Sequence, residues 1–208
     1  MGTDKIVKEM ITIVLGIIFL AIGIYYKSSL SLSTAIIFIS IIIFINIIIK
    51  KVVAYTFEIE ITTKIWELKN YGLQKKFHFK KPLPMLWLPM LLSFISSGLI
   101  LWLPIFSFDI KTKPERASKR HGLYRFTQVT EWHIAIIVMF AIFANLTTAI
   151  FGYVLGFEYF AKLNIFYAMW SLIPLSTLDG SKLFFGSKAL WIITASVTSI
   201  FLIITIFF

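Results

Sequence analysis

The segment SLIPLSTLDGSKLFFG, residues 171–186, sets a carboxylate, Asp179, next to Gly180 and close to Lys182, between two apolar runs. A carboxylate in apolar surroundings can ligate a metal, take a proton or pair with a cation. A hydrolytic zinc site needs partners for it. Two histidines at i,i+4 supply them when a helix puts both imidazoles on one face, with a glutamate beside the metal-bound water. The chain has three histidines, His78, His121 and His133, and no two are four apart. Cysteine is absent, which removes thiolate ligands, thiol nucleophiles and disulfides together.

Leu178-Asp179-Gly180 also reads as a turn, since Asp can bond its own backbone and Gly tolerates positive φ. We take this structural role for Asp179, with an ion pair to Lys182 or a basic-loop residue left open. Ser96, Ser97 and Gly98 lack a positioned base and do not make a serine nucleophile. Asn145, Thr147 and Thr148 interrupt an apolar run and read as polar contacts to another helix.

The elements that must position these groups are membrane elements. Hydrophobic residues make up 59% of the 208, in runs of about 20, the length that crosses a bilayer as helix. Residues 10–26 and 31–49 form an antiparallel hairpin of two spanning helices, the second stopped by Lys50 and Lys51. The first run is too long for a signal peptide and lacks a small-residue cleavage site after it, so it stays as a membrane helix. Residues 132–156, 159–175 and 189–208 read as three more helices.

Between them, residues 83–107 carry Pro84, Pro89, Pro104 and SSG at 96–98, which predicts a broken or re-entrant segment. Residues 56–62 alternate apolar and polar side chains with period two, which favours a strand, as in a small β-hairpin. The i,i+4 pair Glu60 and Lys64 keeps a helical alternative. Glu58, Glu60 and Lys64 then sit at the membrane interface rather than in an intramembrane charge cluster. The expected fold is an all-α integral membrane protein with about six membrane segments in one domain: a hairpin at 1–51, a core at 52–191 and a last helix at 189–208.

The net charge of +10 is concentrated in short basic stretches, 69–81 and 111–125. Beside membrane segments these predict cytoplasmic loops in contact with anionic headgroups, not nucleic-acid binding. The N-terminus falls on the same side, and the plasma membrane is the expected location.

The 171–186 segment resembles the C-terminal signature of the site-2-type intramembrane metalloproteases, peptidase family M50, in its archaeal form. The family pattern is Asn-x-x-Pro-x-x-Pro-Leu-Asp-Gly, often continued by Ser-Lys. Pro174, Leu178, Asp179, Gly180, Ser181 and Lys182 match in register, while Ser171 and Thr177 replace the Asn and the second Pro. In the family this Asp is the third zinc ligand. The Tyr71-Gly72 turn and the apolar segment after it resemble the stretch following the first zinc motif, which places the expected His-Glu-x-x-His at Glu60, Ile61, Thr62, Thr63 and Lys64. That register supplies no imidazole, and an ammonium at Lys64 would repel a dication. The resemblance covers residues 50–191. It implies a pseudoprotease with no cofactor, serving as a structural or binding subunit that grips a segment of other integral membrane proteins. An active zinc protease, with Asp179 and two distant histidines as ligands, is the alternative it leaves.

Overall fold

The computed structural model describes residues 3–26, 30–70, 78–96, 101–113, 120–121, 124–125 and 129–207. The Tyr71-Gly72 turn, Ser97, Gly98, most of the two basic stretches and the side chains of His78 and His121 lie outside the described residues.

Helices α1 (Thr3–Tyr25) and α2 (Leu32–Thr56) form the expected hairpin. Ser31 caps α2, its side chain accepting from the Thr34 N–H at 3.2 Å. Lys50 and Lys51 do not stop α2; it continues to Thr56 because Val52, Val53 and Ala54 carry the apolar pattern past them. Glu58, with φ 57°, turns the chain out of α2 into strand β1 (Ile59–Ile65).

Strands β2 (Glu67–Asn70) and β3 (His78–Pro84), helix α3 (Leu88–Ile95) and strand β4 (Phe106–Thr112) follow. The period-two pattern is therefore a strand, and the helical alternative for Glu60 and Lys64 fails. The partner of β1 is the distant β4, antiparallel, with Ile59 opposite Thr112 and Ile65 opposite Phe106. The adjacent hairpin joins β2 to β3 instead. The two-residue strands β5 (Arg120–His121) and β6 (Tyr124–Arg125) also pair.

The rest is helical: α4 (Glu131–Val154), α5 (Glu158–Ser171), α6 (Asp179–Gly186) and α7 (Lys188–Phe207). Four helices, α1, α2, α4 and α7, are long and apolar enough to cross a membrane. The chain is a mostly helical membrane protein, but the expectation of about six segments is not met. Among its described residues the 83–107 run contains one helix, the eight-residue α3, between strands, and its prolines remove helix donors. The 159–175 run yields α5, whose 14 residues span about 21 Å against a hydrocarbon thickness of about 30 Å.

Strand β1 and helix α3 pack along α1. The Thr63 N–H bonds Glu9 near the start of α1 at 3.0 Å. Further along, Trp87 meets Phe19 edge-on at 5.4 Å, and Ser93 donates to the Gly23 carbonyl at 2.8 Å near the helix end. Gly16 makes room for Phe106 on this face: a Cβ there would stand 2.2 Å from the tip of the ring, which would have to move. Helix α4 packs between α2 and α5, and α7 covers α4 and α5. The threonines of α7 that face inward, Thr194, Thr198 and Thr205, bond their own helix carbonyls four residues back, so the buried face carries no orphan hydroxyl. Its isoleucines, such as Ile192, Ile200 and Ile203, face outward, as suits a lipid solvent.

Candidate functional site at the Lys50–Asp179 pair

Asp179 is delivered to the interior by a turn that the sequence builds in steps. Helix α5 ends at Ser171, and Pro174 prevents its continuation. Ser176 takes a left-handed φ of 45°. The turn is then pinned to the β1–β2 junction: Ser176 and Thr177 donate to the Glu67 carbonyl at 2.9 and 3.0 Å, and the Glu67 N–H donates to Thr177 at 2.9 Å. Leu178 is fully buried against Trp66 and Trp102. Gly180 is required by close approach, since a Cβ would stand 2.4 Å from the backbone of Leu172 and Ile173. Thr177, read in the sequence only as a lost proline, is one of the anchors of the loop.

The carboxylate so placed meets Lys50 of α2. Lys50 Nζ donates to Asp179 Oδ2 in a buried ion pair, with side-chain exposures of 6% and 5%. Asp179 Oδ1 has no hydrogen-bond partner among the described residues. One helical turn before Lys50, buried Asn46 donates to the Ala141 carbonyl of α4 at 3.4 Å, and its Oδ1 is likewise unpartnered. Asn46 and Lys50 are at i,i+4 on one face of α2, the spacing at which two side chains can converge on a third group. The partner of Asp179 is thus neither Lys182 nor a basic-loop residue, the two options the sequence left open.

Lys182 serves a second polar cluster, one turn along α6. Its Nζ donates to Ser107 Oγ at 2.9 Å and to the Phe108 carbonyl at 2.6 Å, and lies 3.5 Å from the centre of the Phe108 ring. Ser107 in turn donates to the Thr177 carbonyl at 2.5 Å, which ties β4 to the same loop. Burial pulls the Lys182 amine down to about 7; the negative charge of Asp179 opposes the shift, while Lys50 and Lys64 add to it. A cavity of about 420 Å³ borders this cluster and includes Lys64, Asp109 and Ser181 in its wall.

The residues first aligned with a zinc motif do not meet Asp179. Glu60 is exposed on β1, Ile61 is buried in the apolar core, and Lys64 pairs with Asp109 at 2.7 Å. His133, in the first turn of α4, bonds the Thr130 side chain and meets the Phe57 ring edge-on at 4.8 Å. Among the described residues no three His, Asp or Glu side chains gather at metal-binding range. The expected interhelical bonds of Thr147 and Thr148 are also corrected: both hydroxyls bond carbonyls of their own helix, at 2.9 and 2.8 Å. Asn145 is buried, and neither amide atom has a hydrogen-bond partner among the described residues.

Sequence reasoning missed Asn46 and Lys50. The signal was there: Asn46 is the one polar residue in the run from Ile41 to Ile49, and Lys50 follows it by four. No protein-family model, curated protein or solved structure matches the chain.

Proposed function

We propose that the chain is a metal-free, non-hydrolytic protein of the M50 type that serves as a structural or binding subunit for other integral membrane proteins. The observation that carries this reading is the Lys50–Asp179 pair. In an intramembrane zinc hydrolase, two residues at i,i+4 on one helix and an aspartate from a Leu-Asp-Gly turn surround a dication. Here Asn46 and Lys50 hold the i,i+4 positions on α2, and Asp179 comes from the Leu-Asp-Gly sequence that opens α6. The register of the lost motif moves accordingly to Asn46, Ile47, Ile48, Ile49 and Lys50. The glutamate position becomes Ile47, whose side chain has no group that could take a proton from water.

Zinc does not fit this donor set. A carboxylate oxygen already binds an ammonium, the ammonium has no lone pair to offer, and its charge opposes a second cation. Lys50 instead supplies a tethered positive charge. It neutralises Asp179 and keeps the loop docked without an ion. Hydrolysis is lost by this exchange while the surfaces that would hold a membrane segment are kept. Strand β1 is non-helical backbone beside α1, and at membrane depth such backbone must be covered by protein or by water. That is the setting in which an extended guest segment would be held. The N-terminus and basic stretches face the cytoplasm in this reading, which follows from their lysine content and the plasma membrane as host.

The test is purification of the full chain in mild detergent, with metal analysis and identification of co-eluting membrane proteins. Substoichiometric metal and a stable partner chain are expected. Stoichiometric zinc on the natural chain, or cleavage of a membrane substrate that stops in Asp179→Asn, would return the active zinc protease. The register has its own check. Asn46→His/Ile47→Glu/Lys50→His should acquire one zinc per chain and lose it when Asp179→Asn is added. A helical, folded triple variant that takes up no zinc would refute the alignment of α2 with the motif.

A further inference from the structure

A second polar site lies at the opposite side of α2. The first turns of α1, the last turns of α2 and the edge of β1 enclose a cleft of about 600 Å³. Lys5, Lys51 and Lys113 line it from three different parts of the chain, with Glu9 and Glu60 as the acidic residues in its wall. Glu9 is engaged. Glu9 Oε1 accepts from Lys51 Nζ at 2.7 Å and from the Thr63 N–H at 3.0 Å. Glu60 stands directly opposite Lys111 across the β1–β4 pair. Lys113 lies over the Tyr55 ring at 4.0 Å, and Lys5 makes no ion pair among the described residues. Lys5 and Lys113 therefore face the cleft with no ion pair among the described residues; Lys5 lies beside the Lys111 ammonium and within the field of the Glu60 carboxylate.

The strand edge adds donors. The register of β1 on β4, with the Lys113 N–H bonded to the Glu58 carbonyl and the Trp66 N–H to the Ile105 carbonyl, assigns the even residues of β1 to the ladder. The odd residues turn their backbone groups the other way. Glu9 takes the Thr63 N–H, and Ile59 and Ile61 line the cleft. An anion entering there meets ammonium groups and backbone N–H groups together.

Position decides which anion. The cleft sits at the ends of two membrane-length helices, so it lies at headgroup level. Ile6 borders it, and exposed Ile6, Met10 and Val52 continue as an apolar surface along α1 and α2. We propose that this cleft binds an anionic phospholipid, with the phosphate held by Lys5, Lys113 and the β1 edge and an acyl chain laid on Ile6, Met10 and Val52.

The full chain in detergent would be titrated with dioctanoyl phosphatidylglycerol, dioctanoyl phosphatidylcholine and inorganic phosphate, with binding followed by native mass spectrometry and calorimetry. The anionic lipid should bind about tenfold more tightly than either competitor, and Lys5→Gln/Lys113→Gln should remove about tenfold of its affinity. Lys162→Gln, remote from the cleft, should change nothing. Equal binding of the two lipids, or an unaffected double variant with native helicity, overturns the proposal. Inorganic phosphate binding as tightly as the lipid makes this a free-anion site and overturns the lipid assignment. Should the double variant misfold, Lys113→Gln alone carries the same test with a smaller loss. None of these residues touches Lys50 or Asp179, so this result stands or falls separately from the metal-free reading.

Discussion

Lys50 and Lys51 are neighbours in sequence and occupy different environments. Lys50 is buried and gives its charge to Asp179, while Lys51 has 45% of its side chain exposed and pairs with Glu9. One residue along a helix is a rotation of about 100°, enough to carry one ammonium into the bundle and leave the other at the rim. The two pairs look alike on paper and differ in solvent. At the rim, water and ions screen the attraction and either partner can be lost cheaply. Inside, each charge depends on the other, because neither has water to fall back on. The same residue type is therefore a surface adjustment at one position and a structural requirement at the next.

The largest effect should come from breaking the inner pair on one side only. Lys50→Met leaves the Asp179 carboxylate buried and unpaired, and should cost about 3–5 kcal/mol in detergent unfolding. Lys50→Met/Asp179→Leu removes both charges and should recover most of that loss, since a buried pair is often no better than a packed apolar one. A double variant as unstable as the single one would mean that the pair itself, and not the orphaned charge, holds the loop.

Lys182 extends the comparison to a third lysine, which is half-buried against a carbonyl and a hydroxyl rather than a carboxylate. Its amine is pulled from an ordinary 10.5 to about 7 by burial. Between those values the unfolded chain holds a proton that the folded chain lacks. Stability should therefore rise with pH across that window, with a slope of at most about 1.4 kcal/mol per pH unit. Below the folded value both states are protonated and the full cost of burying the charge is present. Lys182→Met should flatten the rise, and thermal unfolding between pH 6.5 and 9.5 measures it. An unchanged pH dependence in the variant would assign the rise to another group.

How far these features could be read in advance depended on the range of the signal. Helices α1, α2, α4 and α7 were legible because an apolar run of bilayer length has few other uses. The break before Asp179 was legible because Pro174 ends a helix, but the expected Leu-Asp-Gly turn is not there: the left-handed residue is Ser176, Asp179 and Gly180 open α6, and the carboxylate bonds Lys50 and not its own backbone. The partner of Asp179 was not, because a run ending in two lysines reads as a membrane stop and the run alone does not say which lysine turns inward. Helical phase from Asn46 would have pointed to Lys50. The strand at 59–65 showed its period, but its partner β4 lies more than 40 residues away and no local pattern names it. The end of helix α5 near Pro174 was legible from the proline, but the 14 residues before it are too few to cross a bilayer, so the helix does not count among the membrane segments.

The smallest effect belongs to the rim and sharpens the contrast most. Lys51→Met should cost less than about 1 kcal/mol, because Glu9 keeps the Thr63 N–H and the exposed side of the pair is open to water. Salt separates the two lysines further. At about 1 M the screening length falls to about 3 Å, so the loss in Lys51→Met should shrink toward nothing, while the loss in Lys50→Met should hold because no ion reaches the pair. Parallel unfolding of both variants at low and high salt decides this. If the two losses fell together, Lys50 and Asp179 would be in contact with water, and the buried charge pair would lose its claim to stand in for a metal.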